Sequence, residues 1–393
     1  MASYIVAGVR TPVGKLLGNL RTVAAPQLGA ICVREVLARS GMLPEHVDEV
    51  VLGHVLQAGT GQAPARQAAL LAGMPPQVPA VTINKVCGSG LKAVMMADQA
   101  VRCGDADVVI AGGMENMSRA PHAWLGSRTG HKLGSQEFVD LLLLDGLQCA
   151  STGLSMGAYA EDLAREANID RSAQDAWACE SHRRAVLAAV EGRFAAELVP
   201  VSFAGRAGEP VVVQRDEGPR ADASLATLAR LHPAFATDGT VTPGNSSQIS
   251  DGAAAVVVVS ERRASRHPGP WRARIVASAA AGSEPRQLFL APLAAIDRAL
   301  ARAQLKPQDI DLVEINEAFA VQCLACHQRL DWPDDRINVH GGAIALGHPI
   351  GASGARVLVT LLHALHQRQL RRGLVSLCIG GGNAVAMIVE LES

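Results

Sequence analysis

Four polar side chains suited to acyl-group chemistry lie in short stretches of the chain, three of which are rich in glycine. They are Cys87 in NKVCGSGLKA, Asn316 in VEINEAFA, His348 in HGGAIALGHPIGASGA and Cys378 in SLCIGGGNA. A thiolate can hold an acyl group, a histidine takes a proton near neutral pH, and an asparagine can donate to an oxyanion directly or through a water. A second thiol can carry a proton to or from carbon. This combination favours acyl transfer with a carbanion step over hydrolysis or redox chemistry.

Cys87 is expected where a short strand turns into a helix. Free N–H groups and the helix dipole at such a position favour an anion, which lowers the pKa of a thiol. Gly88 and Gly90 allow a tight turn and leave the sulfur approachable. The alternative at this stage is a buried core cysteine beside a glycine-rich turn.

The partner residues have structural alternatives as well. His348 precedes a helix related to the one after Cys87, so the two helix starts are expected to approach each other, but a histidine before a Pro turn can also be purely structural. Asn316 ends a strand at the carboxyl edge where ligands bind in α/β sheets. The same asparagine can instead cap the following helix.

Other known sequence motifs are incomplete near these residues. Val86 and Ser89 do not complete a GxSxG elbow, and no βαβ unit follows the glycines after Cys378. Cys323 and Cys326 form a CxxC without the further ligands of a zinc site, and their spacing fits one face of a helix. No metal site is predicted.

The composition describes a globular protein of two or three packed units. The 393 residues are 49% hydrophobic and 19% charged, with a formal net charge of −1. This balance does not favour nucleic acid or a membrane surface as the main partner. The opening residues read as a strand, Tyr4 to Val9, rather than a targeting segment, so a cytoplasmic location with reduced cysteines is expected.

The chain contains two related halves. Residues 37–55 match residues 300–318 at an offset of 263, and GSGLKAV at 88–94 matches ASGARVL at 352–358 at an offset of 264. VVIAGGMEN at 108–116 then matches SLCIGGGNA at 376–384 at an offset of 268. Three matches in the same order indicate an internal duplication.

Each half predicts an α/β unit. A helix leads through a Pro-initiated turn to a strand, and a small-residue turn, a helix and a glycine-ended strand follow, which predicts a parallel or mixed sheet with helices on both sides. Residues 119–247 interrupt the pattern, with one helical block from 155 to 191. We therefore expect an N-terminal half at 1–118 plus 248–270, an inserted domain at 119–247 and a C-terminal half at 271–393.

At these residues the chain resembles the thiolases, and within them the acetyl-CoA acetyltransferase (acetoacetyl-CoA thiolase) branch. The resemblance spans essentially the full length, with NKVCGSGLKA, GGMENMSRAPH, GTVTPGNSSQISDGAA, NEAFA, GGAIALGHPIGASGAR and CIGGGNA as its markers. It implies two βαβαβαβ halves in a five-layered α-β-α-β-α arrangement, with an inserted loop domain.

The resemblance also implies roles for the polar residues. Cys87 becomes acetylated, His348 activates it, and Cys378 takes a proton from the methyl group of the second acetyl-CoA. Asn316, through a water, and His348 form one oxyanion hole. The N–H groups of Cys87 and Gly380 form the other.

Coenzyme A is implied as part of the substrate rather than as a bound cofactor. Matching positions implicate Leu147, Met156, Arg220, Phe235, Ser247, Ala318 and Phe319 in its binding. Arg220 is expected near the adenine and phosphate end and Ser247 near the pantetheine. Residues 119–140 resemble the region through which biosynthetic thiolases form tetramers, so a homotetramer built as a dimer of dimers is expected.

Two positions depart from the branch and leave alternatives open. Ser155 stands where histidine is common, and Pro243 stands where alanine is usual. Both leave room for a 3-oxoacyl-CoA thiolase acting on longer or functionalised substrates such as 3-oxoadipyl-CoA. A decarboxylating ketosynthase and a non-catalytic acyl-CoA-binding scaffold are the remaining readings.

Overall fold

The computed structural model describes residues 2–205, 208–267, 269–330 and 332–392, so the expected outer domain bounds at 1 and 393 lie outside the described residues. The strands are β1 Ser3–Arg10, β2 Gly14–Lys15, β3 Glu49–Gly53, β4 Ala80–Ile83, β5 Val108–Asn116, β6 His122–Ala123, β7 Val139–Asp140, β8 Val201–Ala204, β9 Pro210–Val213, β10 Ser250–Ser260, β11 Arg272–Gly282, β12 Leu312–Ile315, β13 Arg372–Ile379 and β14 Asn383–Glu392.

The α-helices are α1 Ala25–Ser40, α2 Pro64–Leu71, α3 Ser89–Cys103, α4 Met156–Glu166, α5 Arg171–Val190, α6 Leu225–Leu228, α7 Glu261–Ala264, α8 Ala291–Ala303, α9 Ala320–His327, α10 Ala343–Leu346 and α11 Ser353–Gln367. Short 3₁₀ turns cover Pro44–His46, Met117–Arg119, Pro285–Gln287, Pro307–Asp309 and Asp334–Arg336, and a π-helical turn covers Leu143–Leu147.

The two halves share one mixed sheet. Within the described residues it has ten strands in the order β12-β13-β14-β11-β1-β10-β5-β3-β4, with β2 paired to β10. β3 runs parallel to β4 and β5, and β12 runs parallel to β13, whereas the other neighbours are antiparallel. The halves meet where β1 pairs with β11. β5 and β10 are buried along their whole length, which explains their continuous apolar sequences.

Helices cover the sheet in the predicted layers. α1 packs on β1, β5 and β10 at one outer face, and α8 packs on β11, β13 and β14 at the other. α3 and α11 pack against each other between the two halves, and the largest hydrophobic cluster, around Leu91 and Leu358, surrounds this pair. The duplicated α/β fold is therefore confirmed.

Two glycines let α3 and α11 cross at backbone distance. A Cβ added to Gly90 would lie 2.7 Å from the backbone nitrogen of Ala355, and one added to Gly354 would lie 2.3 Å from that of Leu91. Gly90 and Gly354 occupy equivalent positions of the repeat, at the offset of 264. The duplicated sequence therefore builds a pseudo-symmetric helix crossing, and the two helix starts lie together as expected.

The C-terminal half differs from the N-terminal half at the position where the equivalent of β4 would lie. Only an isolated bridge between Val313 and Ile337 stands there. The next residue, Asn338, adopts a φ of 46°, and its side chain accepts a hydrogen bond from the Ile315 N–H and donates one to the Ile315 carbonyl, both at 2.9 Å. One amide side chain thus replaces the backbone ladder of a third strand.

The inserted region contains α4, α5, α6 and the two-stranded ribbons β6–β7 and β8–β9. The predicted helical block is two helices. α4 ends before Asn168, whose φ is 52°, and Asp170 caps α5 by accepting a hydrogen bond from the Ala173 N–H at 2.8 Å. In the described part of the chain, no helix combines the length and apolar character needed to cross a membrane.

Candidate active site

Cys87 lies in a tight turn between β4 and α3. Val86 adopts a φ of 47°, a left-handed conformation that is costly for a β-branched residue. The Ser89 hydroxyl holds this turn, because its oxygen accepts from the Lys85 N–H at 2.8 Å and its O–H donates to the Val86 carbonyl at 2.7 Å. Strained backbone of this kind is concentrated at functional sites, where the surrounding structure enforces it.

The Cys87 side chain is half-buried and packs against a small cluster that includes Val55, Leu142 and Ile350. Burial raises the pKa of the Cys87 thiol to about 11, while the N–H groups of Gly380 and of Cys87 itself act in the opposite direction. The expectation that the helix start lowers the pKa of this thiol is therefore wrong for the unliganded chain, because burial outweighs the local dipoles.

His348 is fixed by both its backbone and its ring. It follows Gly347, whose φ is 104° and whose added Cβ would lie 2.3 Å from the Ser250 hydroxyl oxygen, so this turn requires glycine. The His348 N–H donates to the Gln248 carbonyl at 2.9 Å. The ring Nδ1 lies 2.6 Å from the Ser353 hydroxyl oxygen, whose own proton is donated to the Pro349 carbonyl at 2.8 Å.

These contacts favour one tautomer of His348. With the Ser353 hydroxyl donating to the Pro349 carbonyl, its oxygen accepts from Nδ1, and Nε2 keeps a free lone pair. Nε2 is buried, and no described residue hydrogen-bonds it. Burial first, and the charge of Arg356 second, lower the pKa of His348 to about 3, so the ring is neutral at physiological pH.

Asn316 presents unpaired polar atoms inside the protein. It follows the last residue of β12, is fully buried, and neither its amide nitrogen nor its amide oxygen has a hydrogen-bond partner among the described residues. Its predicted alternative, a cap for the next helix, is not observed, because α9 begins four residues later without a side-chain cap. Buried amides left without a protein partner indicate a place for a ligand or a water.

Cys378 and Gly380 lie at the end of β13. Cys378 is buried, and burial first and the nearby Cys87 second raise the pKa of its thiol well above the ordinary range. Gly380 is half-exposed, and its N–H points at the Cys87 sulfur. The structure therefore brings together the two thiols and the two N–H groups that the sequence singled out.

Several of the predicted coenzyme A residues flank the thiols on two sides. Leu147 packs with Cys87 in one hydrophobic cluster, whereas Met156, Ala318 and Phe319 share a second cluster with Cys378. The Met156 sulfur lies 3.8 Å from the position a Gly380 Cβ would take. These four residues line the surroundings of the candidate site.

The remaining predicted contacts lie further out. Phe235 is 40% exposed and meets Phe319 edge-on, with 6.2 Å between the ring centroids. The Ser247 N–H donates to the Ala318 carbonyl at 3.0 Å. Arg220 is exposed, and its backbone N–H donates to Nδ1 of His182 at 3.1 Å.

The two departures from the branch also have defined places. Ser155 caps α4, because its hydroxyl accepts from the Ala158 N–H at 3.2 Å. Pro243 is exposed in the loop before Ser247. Among the described residues no group of three or more His, Cys, Asp or Glu side chains is arranged to hold a metal ion, and Cys323 and Cys326 are buried on α9.

The sequence reasoning missed a buried carboxylate that joins the two halves. Glu115, in the GGMEN stretch, is fully buried and accepts from the N–H groups of Val55 and Gly351 at 3.1 and 2.9 Å. Nε2 of His54 lies 3.1 Å from the same carboxylate. A glutamate within an apolar strand was the available signal, but its partners are 60 and 236 residues away in sequence.

The fold and the site define a thiol-dependent acyltransferase. Two thiols of related halves lie close together beside the Gly380 N–H, and the chain also holds a neutral histidine and a buried amide without a described partner. Groups of these kinds can form and break thioesters.

The comparisons with known proteins agree with this class. The family description "Thiolase, N-terminal domain" matches residues 3–262 and "Thiolase, C-terminal domain" matches residues 269–391, so the chain belongs to the thiolase family. A Cupriavidus necator protein named acetyl-CoA acetyltransferase is 51% identical over 98% of each chain. A Pseudomonas aeruginosa protein of the same name is 50% identical over 99% of each.

A solved structure supports the fold. The crystal structure of the Bacillus anthracis acetyl-CoA acetyltransferase superposes with a TM-score of 0.97 at 40% sequence identity, covering 100% of this chain and 99% of the other. The family and fold expectations drawn from the sequence are confirmed.

Proposed function

We propose that the protein is an acetyl-CoA C-acetyltransferase, which catalyses the reversible Claisen condensation of two acetyl-CoA molecules to acetoacetyl-CoA and coenzyme A. The observation that carries the proposal is the proximity of the Cys87 and Cys378 thiols, together with the buried amide of Asn316 and the buried Nε2 of His348, which have no hydrogen-bond partner among the described residues. The names of the relatives support the acetyl substrate.

In the first half-reaction, Nε2 of His348 takes the Cys87 proton as the sulfur attacks the thioester carbonyl. The new C–S bond replaces the bond to coenzyme A, and the departing thiolate takes the proton back from His348. A neutral His348 with its Nε2 lone pair free is suited to the first step. The same nitrogen, once protonated, can donate to an oxyanion.

In the second half-reaction, Cys378 as a thiolate takes one methyl proton from a second acetyl-CoA. The resulting carbanion attacks the acetyl carbon on Cys87, whose C–S bond breaks, and the Cys87 sulfur receives the proton that Cys378 removed. The raised pKa of Cys378 keeps most of this thiol protonated, so the step proceeds through the small thiolate fraction, which is a strong base, as abstraction from carbon requires. The Gly380 N–H beside the Cys87 sulfur supports an oxyanion hole on this side.

For coenzyme A we propose the contacts Leu147, Met156, Arg220, Phe235, Ser247, Ala318 and Phe319. The position of Met156, Ala318 and Phe319 in the Cys378 cluster supports the inner part of this set. The exposed Phe235 ring, which meets Phe319 edge-on, offers an apolar surface to a pantetheine chain. The exposed Arg220 offers a positive charge to a phosphate.

The domain division is also a proposal, with 119–247 as a loop domain between halves at 1–118 plus 248–270 and at 271–393. Pairing of β10 with β1 and β5 supports the assignment of 248–270 to the first half. The exposed Leu125, Leu133 and Phe138 support residues 119–140 as the contact region of a homotetramer. A cytoplasmic location and the lack of a permanent cofactor stay predictions.

The proposed chemistry is tested by trapping the protein with labelled acetyl-CoA and locating the label by peptide mass spectrometry. Label is expected on the peptide carrying Cys87 and absent from a Cys87→Ala variant, while a Cys103→Ser variant, altered at an exposed cysteine, is the matched control. Label on any residue other than Cys87 would contradict the proposed mechanism. A Cys378→Ala variant that keeps full condensation would favour the decarboxylating ketosynthase instead.

The proposed substrate is tested by a thiolysis panel from acetoacetyl-CoA to C16 and 3-oxoadipyl-CoA. We expect the highest kcat/KM for acetoacetyl-CoA. A preference for 3-oxoadipyl-CoA would contradict the acetyl assignment without touching the Cys87 chemistry. Coenzyme A binding without any turnover would point to the scaffold reading.

A further inference from the structure

Two buried charged side chains of the C-terminal half lack partners within the protein. Arg356 on α11 and Glu314 on β12 are each 1% exposed. No described residue hydrogen-bonds any of the three guanidinium nitrogens of Arg356 or either carboxyl oxygen of Glu314. α11 packs on β12, and the charges of the two side chains act on each other.

The other fully buried arginine shows that this is unusual for the molecule. Arg10 donates from Nε to Glu197 at 2.5 Å and from Nη1 and Nη2 to Asp216 at 2.7 and 3.0 Å. Leaving a buried guanidinium wholly unpaired costs several kcal/mol, which a folded protein does not tolerate without compensation. Arg356 must therefore find its acceptors in something other than protein.

Ordered water is the ligand that fits both groups. Glu197 is a third group of this kind, because its Oε2 is buried and has no described partner and its charge acts on Arg356. Buried waters typically join two to four polar groups of this kind. We call the region between Arg356, Glu314 and Glu197 the polar chamber.

Two residues of the polar chamber are close in sequence to candidate active-site residues. Glu314 lies on β12 and precedes Asn316, the residue directly after that strand, by two residues. Arg356 follows Ser353 by three residues on one helix, and Ser353 holds the His348 ring. The guanidinium is thus one helical turn from the hydrogen bond that orients the proposed base.

We propose that the polar chamber is a water site and that Arg356 is a positioning residue, whose hydrated charge holds His348 in the neutral state that accepts a proton from Cys87. The proposal of a water site depends only on the unpartnered atoms. The action on His348 rests on the proposed function, in which His348 is the base.

The surrounding charges support this role. Arg356 interacts with Arg10, Glu197, Glu314 and Glu317. Glu314 interacts with Arg356, Glu317, Glu197 and Arg184. Arg356 is the charged group that acts on His348, after burial, in lowering its pKa to about 3.

Glu314 does not cancel the charge of Arg356 at neutral pH. Burial raises the pKa of Glu314 to about 8 against the opposing effect of Arg356, so the carboxyl is protonated at pH 7. The positive field at His348 therefore stays in place while the enzyme works, and it disfavours the imidazolium.

The first test compares Arg356→Met with Arg356→Lys in the full-length protein. The rate of Cys87 acetylation in a single turnover is followed by mass spectrometry from pH 2.5 to pH 9, with the points below pH 5 reached by brief pH jumps of enzyme kept at neutral pH, because the wild-type limb is expected near pH 3. Without the positive charge, the acid limb of the Arg356→Met profile is expected to move up by at least about half a pH unit, toward the ordinary histidine value near 6.5. Arg356→Lys keeps a charge and is expected to keep the wild-type limb.

An acid limb at the wild-type pH in Arg356→Met would overturn the proposal that Arg356 keeps His348 neutral. A limb displaced as far in Arg356→Lys as in Arg356→Met would overturn it too, because the lysine keeps the charge. A protonated Glu314 leaves no buried charge uncompensated in Arg356→Met, which favours its folding. If wild-type Cys87 takes no acetyl group, the proposed function itself fails, and the chamber is judged by the second test.

The second test needs no activity. The folded pKa of Glu314 lies above its unfolded value near 4.3, so wild-type stability is lost as the pH rises from about 4 through 8. Glu314→Gln cannot ionise, so the Tm of this variant minus that of wild type should be larger at pH 8 than at pH 5. An unchanged difference would overturn the chamber, as would a crystal structure with Arg356 and Glu314 in direct contact and no water between them.

Discussion

The starts of α3 and α11 are equivalent positions of a duplicated sequence, yet they present different chemistry. In both, a residue with positive φ precedes the reactive side chain, Val86 before Cys87 and Gly347 before His348. In both, a serine at the same repeat position ties the turn down. Ser89 binds only backbone, whereas Ser353 also binds the His348 ring.

The difference teaches how one scaffold supplies two roles. The nucleophile needs an exposed sulfur next to the helix start, and strain at Val86 is the cost of that geometry. The base needs a fixed ring orientation, and a hydroxyl already present at the helix start provides it. Duplication placed the two turns face to face, and a few substitutions separated their tasks.

The largest expected effect comes from changing the nucleophile on the α3 side. Cys87→Ser should lower kcat for acetoacetyl-CoA thiolysis by at least about 10⁴-fold, because a hydroxyl is a far weaker nucleophile and leaving group than a thiol. Cys103→Ser, at the exposed end of the same helix, should stay within about twofold of wild type. Equal losses of kcat in both variants would mean that the effect comes from disturbing α3 and not from removing the Cys87 thiol.

A smaller effect is expected from the serine on the α11 side. Ser353→Ala removes the acceptor for the His348 Nδ1 proton, so the ring loses its orientation and kcat should fall by about 10²-fold. Ser353→Thr keeps the hydroxyl and should recover most of the rate.

The matching change, Ser89→Ala, breaks two backbone contacts but touches no reacting atom. It should lower kcat less than Ser353→Ala does, while Tm falls because the part-buried Lys85 N–H loses its acceptor. A larger kcat loss in Ser89→Ala than in Ser353→Ala would reverse the assignment of the two serines.

The free energy of unfolding should depend on the close crossing of α3 and α11. Gly354→Ala and Gly90→Ala place a methyl group 2.3 and 2.7 Å from facing backbone nitrogens, so each should lower the free energy of unfolding by about 1–3 kcal/mol, Gly354→Ala the more. Gly282→Ala, whose nearest neighbour is 3.9 Å away, is the control for denaturant unfolding. Stability equal to the control in both helix variants would show that the crossing is looser than described.

The mildest test concerns the opposing effects of burial and helix dipole on Cys87. With a thiol pKa of about 11, alkylation of Cys87 by iodoacetamide should rise about tenfold per pH unit from 7 to 10. The exposed Cys103, followed by mass spectrometry in the same sample, is the internal reference for the reactivity of an accessible thiol. A plateau of Cys87 reactivity below pH 8 would mean that the helix dipole lowers the pKa of this thiol by more than burial raises it.

Sequence patterns predicted those parts of the site that depend on local geometry. The turn at Cys87, α3 with its Gly104 cap and the strand at Val108–Asn116 follow from glycine placement and from the 3.6-residue and continuous apolar patterns. The internal repeat then predicted that the Cys87 and His348 turns meet, because related halves pack by related surfaces.

Features set by distant partners were out of reach. Asn338 replaces a strand by bonding to Ile315, 23 residues earlier, and nothing in its own stretch indicates this. The raised pKa of Cys87 depends on residues that bury the turn from elsewhere, so a motif could give only the dipole's contribution. Arg356 lies in a visible motif, but its lack of partners appears only once the core is assembled.

The central place of β1 has a consequence for how the chain is made. Residues 3–10 are synthesised long before their neighbours in the sheet, which are residues 250–260 and 272–282. At typical synthesis rates the first strand waits on the order of 15–50 s for both edges to be paired. The nascent chain must therefore keep an apolar strand from pairing with other chains, and changes that lengthen this wait should lower yield before they alter the finished enzyme.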